Sequence, residues 1–214
     1  ARYFAAEQAE IERVEAQIEG VAAELEELAE EQGGEDGTLN DVSSKSDAQV
    51  AYVQVVVELW GEADKSGADE YSGLMDAADG HAAHLRELAE RDYFAPFKSK
   101  RRNKKGTFSL KVVKERLEEL ASGPEYETLR DYVKTDQRQK AAKKQAKTLF
   151  ESAEEGILVR LKAEPDAEDL AGLRAVVRYL ALLDEQVALK ERLNGKTVNR
   201  KRVPWLIELL DVLA

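Results

Sequence analysis

Between Ile11 and Leu28 the larger apolar residues fall at Ile11, Val14, Ile18, Val21, Leu25 and Leu28, in steps of three, four, three, four and three. Phe4 stands one heptad ahead of this row, and Glu7 is the polar residue at the seam position between them. The pattern is a heptad seam, and only a helix places such residues on one line. A helix running from Arg2 to Gln32 is about 45 Å long at 1.5 Å per residue. So narrow a stripe has nothing within its own helix to pack against. It requires a partner helix, from this chain or from another.

The rest of the composition agrees with long helices. Of 214 residues 35% are charged, 7% are aromatic and four are proline. Ala, Glu, Leu, Lys and Arg dominate, as in bundles and coiled coils rather than in sandwiches or barrels. Cysteine is absent, which excludes disulfides and thiolate metal sites and suits a cytoplasmic chain. No apolar run approaches the roughly 18 residues that cross a bilayer, so no membrane partner is expected. No basic and apolar leader opens the sequence. The first residue is Ala1, the only methionine is Met75, and no cap precedes Tyr3, so the chain reads as a piece of a longer polypeptide.

The net charge of −11 is unevenly spread. Residues 1–92 carry 24 acidic and 6 basic side chains, and residues 93–214 carry 19 acidic and 26 basic. The front repels nucleic acid; the back can tolerate or attract it.

Gly33, Gly34 and Gly37 end the first helix. Residues 38–47 read as a polar connection. Residues 49–60 contain five valines, but no second segment of strand quality exists to pair with them, so they read as a buried helix. Residues 61–80, rich in Gly, Ser and Asp, predict a loop with a short helical turn, and His81 to Arg91 a short helix. A loop follows with six basic residues, Lys98, Lys100, Arg101, Arg102, Lys104 and Lys105. Ser109 is a candidate N-cap for a helix bearing Leu110, Val113, Leu117 and Leu120. Gly123 and Pro124 end it and open the next. That helix carries Tyr126, Leu129 and Val133, turns basic, and regains a seam at Ala142, Ala146, Leu149, Ala153 and Ile157. A last seam steps through Leu173, Val176, Leu180, Leu183 and Val187, and a tail carries Trp205, Leu206, Leu209, Leu210 and Leu213.

The expected architecture is all-α: long antiparallel coiled-coil helices with a small helical cap inserted between them. The arms are residues 4–32, 139–162 and 167–193. The division reads as an N-terminal arm over 1–37, a cap over 38–137 and a C-terminal arm with its tail over 138–214.

No catalytic motif is present: no glycine-rich phosphate loop, no nucleophile elbow and no Glu-x-x-His pair for a di-metal bundle. His81 and His84, preceded by Asp76 and Asp79, share a helix face but make two ligands rather than a site. The basic loop, flanked by Phe94, Phe97 and Phe108, has the look of a nucleic-acid contact. The competing reading anchors those aromatics in the core at either end of a solvated loop. A helix-turn-helix over 109–136 is disfavoured, because Glu125, Glu127 and Asp131 would meet phosphate badly.

Ala1-Arg2-Tyr3-Phe4-Ala5-Ala6-Glu7-Gln8-Ala9-Glu10-Ile11-Glu12, the heptad arm, and the glycine-acidic phrase Glu30 to Gly37 resemble the C-terminal region of the modification (M) subunit of type I restriction–modification enzymes. The stretch Lys104 to Leu120 is similar to a segment of the same family, and residues 38–103 stand as an insertion. A late family phrase of Val-Val-Asp-Asp-Lys-Trp character is absent. The resemblance implies a parent enzyme that methylates N6 of adenine in DNA with S-adenosylmethionine. Its Asn-Pro-Pro-Phe/Tyr signature is missing here, and Ala95-Pro96-Phe97 is only an echo of it. It therefore assigns no catalytic, cofactor or metal residue to this stretch, and no bound cofactor. It implies instead a docking arm. Ile11, Val14, Ile18, Val21, Leu25 and Leu28 would serve partner binding to the specificity (S) subunit. Through that subunit the arm would reach the restriction (R) subunit and DNA. Read without the family, the same residues suit a self-associating coiled-coil protein, or a nucleic-acid-binding helical module.

Overall fold

Six helices carry the chain in a computed structural model that describes residues 2–32, 37–39, 42–97 and 108–194. They are α1 (Arg2–Gln32), α2 (Lys45–Ala63), α3 (Lys65–Glu90), α4 (Leu110–Glu118), α5 (Pro124–Ala163) and α6 (Ala171–Leu193). Short 3-10 turns, Asp92–Phe97 and Glu168–Leu170, precede α4 and α6. No strand occurs among the described residues, so the all-α expectation holds. The valine-rich segment is indeed helical, with Ala48, Ala51, Tyr52, Val55, Val56 and Trp60 buried.

One helix differs from the sequence expectation. Residues 65–80 belong to the 26-residue helix α3 rather than to a loop. The Asp64 side chain caps its start, accepting the Gly67 N–H at 3.1 Å. Its buried row is built of small residues first, Ala68 and Ala78, and only then Leu85, Leu88 and Ala89. Each glycine in a helix costs about 1 kcal/mol relative to alanine, which packing along that row offsets. The helix that opens at Pro124, α5, runs unbroken for 40 residues, through its basic stretch and into the later seam, as the spacing predicts. Pro124 opens it and Gly123, at φ +110°, makes the turn before it, the conformation glycine adopts most readily.

The described residues divide into two units, one drawn from residues 2–63 and 153–194 and the other from residues 64–152. Helix α2 falls in the first unit with α1 and α6, and α5 contributes residues to both units.

In the first unit α6 is the central element. It packs on α1 and on α2, and between Leu173 and Leu182 it buries Ala175, Val176, Val177, Tyr179, Leu180 and Ala181 as well. That is far more than one narrow stripe. Arg174 ties down the turn before α6, donating to the carbonyls of Pro165 and Ala167. Tyr52 on α2 donates its hydroxyl to Glu154 on α5 at 2.7 Å; burial, reinforced by that carboxylate, pushes its pKa up.

The second unit is centred on aromatics. Phe94 stacks on Phe108 at 5.2 Å and packs against Tyr132 at 5.0 Å and Phe97 at 5.7 Å. Leu85, Leu88, Val113 and Leu129 complete this core. The buried Tyr132 hydroxyl accepts the Phe108 N–H at 2.7 Å and donates to the Phe108 carbonyl at 3.1 Å. Tyr132→Phe would strand both backbone groups away from water. An expected cost of about 1–3 kcal/mol follows, measurable as a lower urea midpoint at unchanged slope. An unaltered midpoint would show that solvent reaches Phe108.

Candidate docking face

The heptad seam of α1 faces inward. Val14, Val21, Leu25 and Leu28 are buried, and Ile11 and Ile18 are half-buried. The helix that α1 packs on is α6. The stripe therefore finds an in-chain partner along much of its length, which its spacing alone could not tell. Glu24, beside the seam, meets Arg178 of α6 at 3.4 Å. Just beyond α1, Thr38 lies against Gly172 at the start of α6. A methyl group at Gly172 would come within 2.6 Å of the Thr38 hydroxyl, so a side chain there would require Thr38 to shift.

The later seam is covered unevenly. Leu173, Val176 and Leu180 are buried, Leu183 is half-buried, and Val187 is 50% exposed. Leu193, at the end of the same helix, is also exposed, as is Val159 near the end of α5. On α2 the Lys45 ammonium pairs with Asp184 of α6. Exposed single apolar residues are ordinary on protein surfaces. An exposed residue at a heptad position is more informative, because the same series is buried at Leu180, seven positions earlier, and half-buried at Leu183.

The other sequence candidates are placed as follows. Lys98, Lys100, Arg101, Arg102, Lys104 and Lys105 lie outside the described residues, as do Trp205 to Leu213. The aromatics flanking the basic loop are buried: Phe94 is 0% exposed, and Phe97 and Phe108 are in the same cluster. They anchor the loop ends in the core and are not available to stack on bases.

Among the described residues no group of three or more His, Asp or Glu side chains is placed to hold a metal ion. His84 instead meets Asp131 of α5, Nε2 to Oδ2 at 2.9 Å, and Glu87 at 3.5 Å. These two carboxylates raise the His84 pKa above its ordinary 6.5, Asp131 contributing most. The stabilisation is complete below the unfolded pKa and is lost as pH rises through the folded one. For partners this exposed it amounts to about 0.5 kcal/mol. His84→Gln should flatten the decline in urea midpoint between pH 6 and 8. An identical decline in the variant would assign it to other groups.

No described helix is long and apolar enough to cross a membrane. Comparison with known protein families, with curated proteins and with solved structures finds no match to this chain.

Proposed function

We propose that this chain is a helical assembly domain, the docking arm of a type I restriction–modification methyltransferase subunit, and that it packs on the long helices of the specificity subunit. The parent enzyme would carry out S-adenosylmethionine-dependent N6 methylation of adenine in DNA, with the restriction subunit joining through the same complex. The family part of this reading rests on the phrases Ala1 to Glu12, Glu30 to Gly37 and Lys104 to Leu120.

The docking part rests chiefly on Val187. It belongs to the apolar series of α6 and is exposed, although Leu189, two positions further on, is buried. The arm is an antiparallel coiled-coil pair of α1 and α6. Two contacts support that direction. Glu24 meets Arg178, and Thr38, later in the chain, meets Gly172, earlier in α6. In such a pair Ile11 and Ile18, both half-buried, come near the end of α6 that carries exposed Val187 and Leu193. The exposed side of α6 at Val187 is the surface offered to the specificity subunit, and Leu25 and Leu28 are covered at home.

Co-expression with the specificity subunit tests this. Val187→Asp should abolish co-purification while leaving the melting temperature within about 2 °C of wild type, since the residue is already half in water. Retention of the complex by Val187→Asp would remove the docking proposal.

A further inference from the structure

The middle of α5 carries an exposed basic face that neither the fold nor the docking proposal uses. Residues 134–148 contain six basic side chains and one acidic, in a chain whose net charge is −11. Thr135, Ala142 and Ala146 are the side buried in the second unit. Opposite them runs a row of Gln137, Ala141, Lys144 and Thr148, in steps of four, three and four, all exposed. On one flank of that row stand Lys140, Lys143 and Lys147; on the other, Lys134, Arg138 and Gln145. Lys140 pairs with Asp136 at 2.7 Å, and Lys147 with Glu151 at 3.4 Å. Lys134, Arg138, Lys143 and Lys144 have no carboxylate in ion-pair range among the described residues.

Like charges three and four residues apart repel along a helix, and Lys140 has Lys143 and Lys144 at those spacings. Such a face is relieved by an extended anion. Every exposed polar side chain on it is a potential hydrogen-bond donor, and no large apolar residue stands among them to anchor a protein partner. The two cationic flanks are separated by a central row of Gln, Ala, Lys and Thr. A helix seated in a groove about 12 Å wide presents this distribution, with cations toward both phosphate backbones and short polar groups toward the base edges. The segment is about 22 Å long, which suits one pass along such a groove.

We infer that residues 134–148 of α5 form a binding face for duplex DNA, held mainly through its phosphate backbones. The inference stands independently of the docking proposal, since it uses neither α1 nor the exposed end of α6. It also differs from the helix-turn-helix arrangement disfavoured by Glu125, Glu127 and Asp131, because the face begins after that acidic first stretch of the helix.

Fluorescence anisotropy of the whole chain with a labelled duplex of about 20 base pairs tests it, titrated from about 50 to 200 mM salt. Saturable binding is expected, with affinity falling steeply over that range. Lys143→Gln/Lys144→Gln should weaken binding about tenfold or more at low salt and reduce the log–log salt slope by about 2. Lys143→Arg/Lys144→Arg should keep the wild-type slope, and Lys190→Gln on α6 should stay within about twofold of wild-type affinity. An unchanged slope in the Gln pair assigns binding to other basic residues and overturns the inference. So does equal weakening by the Arg pair, which marks damage to the helix. Absence of saturable binding at low salt, or equal binding to polyglutamate, overturns it as well.

Discussion

Leu25→Asp is expected to destabilise the first unit by about 3 kcal/mol or more, because it replaces a buried apolar side chain with a carboxylate that has no partner in the seam. At about 2–4 °C per kcal/mol for a chain of this size, the melting temperature should fall by about 10 °C. The contrast with Val187→Asp gives the result its meaning. The same charge on the same type of heptad position should be tolerated at the exposed residue and damaging at the buried one. Circular dichroism melts of the two variants, side by side, check this. Equal small shifts would mean that α1 is not held on α6 in solution.

Phe94→Ala is expected to cost about 3–5 kcal/mol, the range for deleting a fully buried aromatic side chain. Phe94 touches three other rings, Phe97, Phe108 and Tyr132, so no single neighbour can move in to fill the space without losing its own contacts. The loss should appear in near-ultraviolet circular dichroism as well as in stability, since the three remaining rings lose their fixed packing together. Phe94→Leu, which keeps most of the volume, should cost less than half as much. Similar costs for both substitutions would mean that ring geometry matters more than filled volume. An intact near-ultraviolet spectrum in Phe94→Ala would mean that the cluster does not depend on this ring.

The parts of the fold legible in the sequence are those with large side chains at heptad spacing. Val14, Val21, Leu25 and Leu28 on α1, and Leu173, Val176 and Leu180 on α6, are apolar at the expected steps and buried as expected. Helix α3 was illegible for a physical reason. Its first buried positions are Ala68 and Ala78, whose small side chains carry little hydrophobic signal, and Gly67, Gly73 and Gly80 lie between and beside them. Glycine weakens a helix without forbidding it, so composition alone pointed to a loop. The aromatics around the basic loop read equally well as base-stacking groups or as anchors. Burial of Phe94, Phe97 and Phe108 decides for anchors. The α5 face was only partly visible: the lysine run is plain, but its division into two flanks around Gln137, Ala141, Lys144 and Thr148 rests on the burial of Thr135, Ala142 and Ala146, which only the structure shows.

Spacing and composition alone establish that this chain is helical, that it lacks recognisable catalytic motifs, and that α1 must lay its stripe against another helix. Local periodicity is enough for that, because it records which side of a helix leaves water. Only the tertiary structure decides which helix takes the stripe and which seam positions stay exposed. Those outcomes depend on contacts between residues more than a hundred positions apart, such as Glu24 with Arg178 and Thr38 with Gly172. A seam fixes the need for a partner, while the packing around α6 determines that Leu25 is satisfied within the chain and Val187 is left in water.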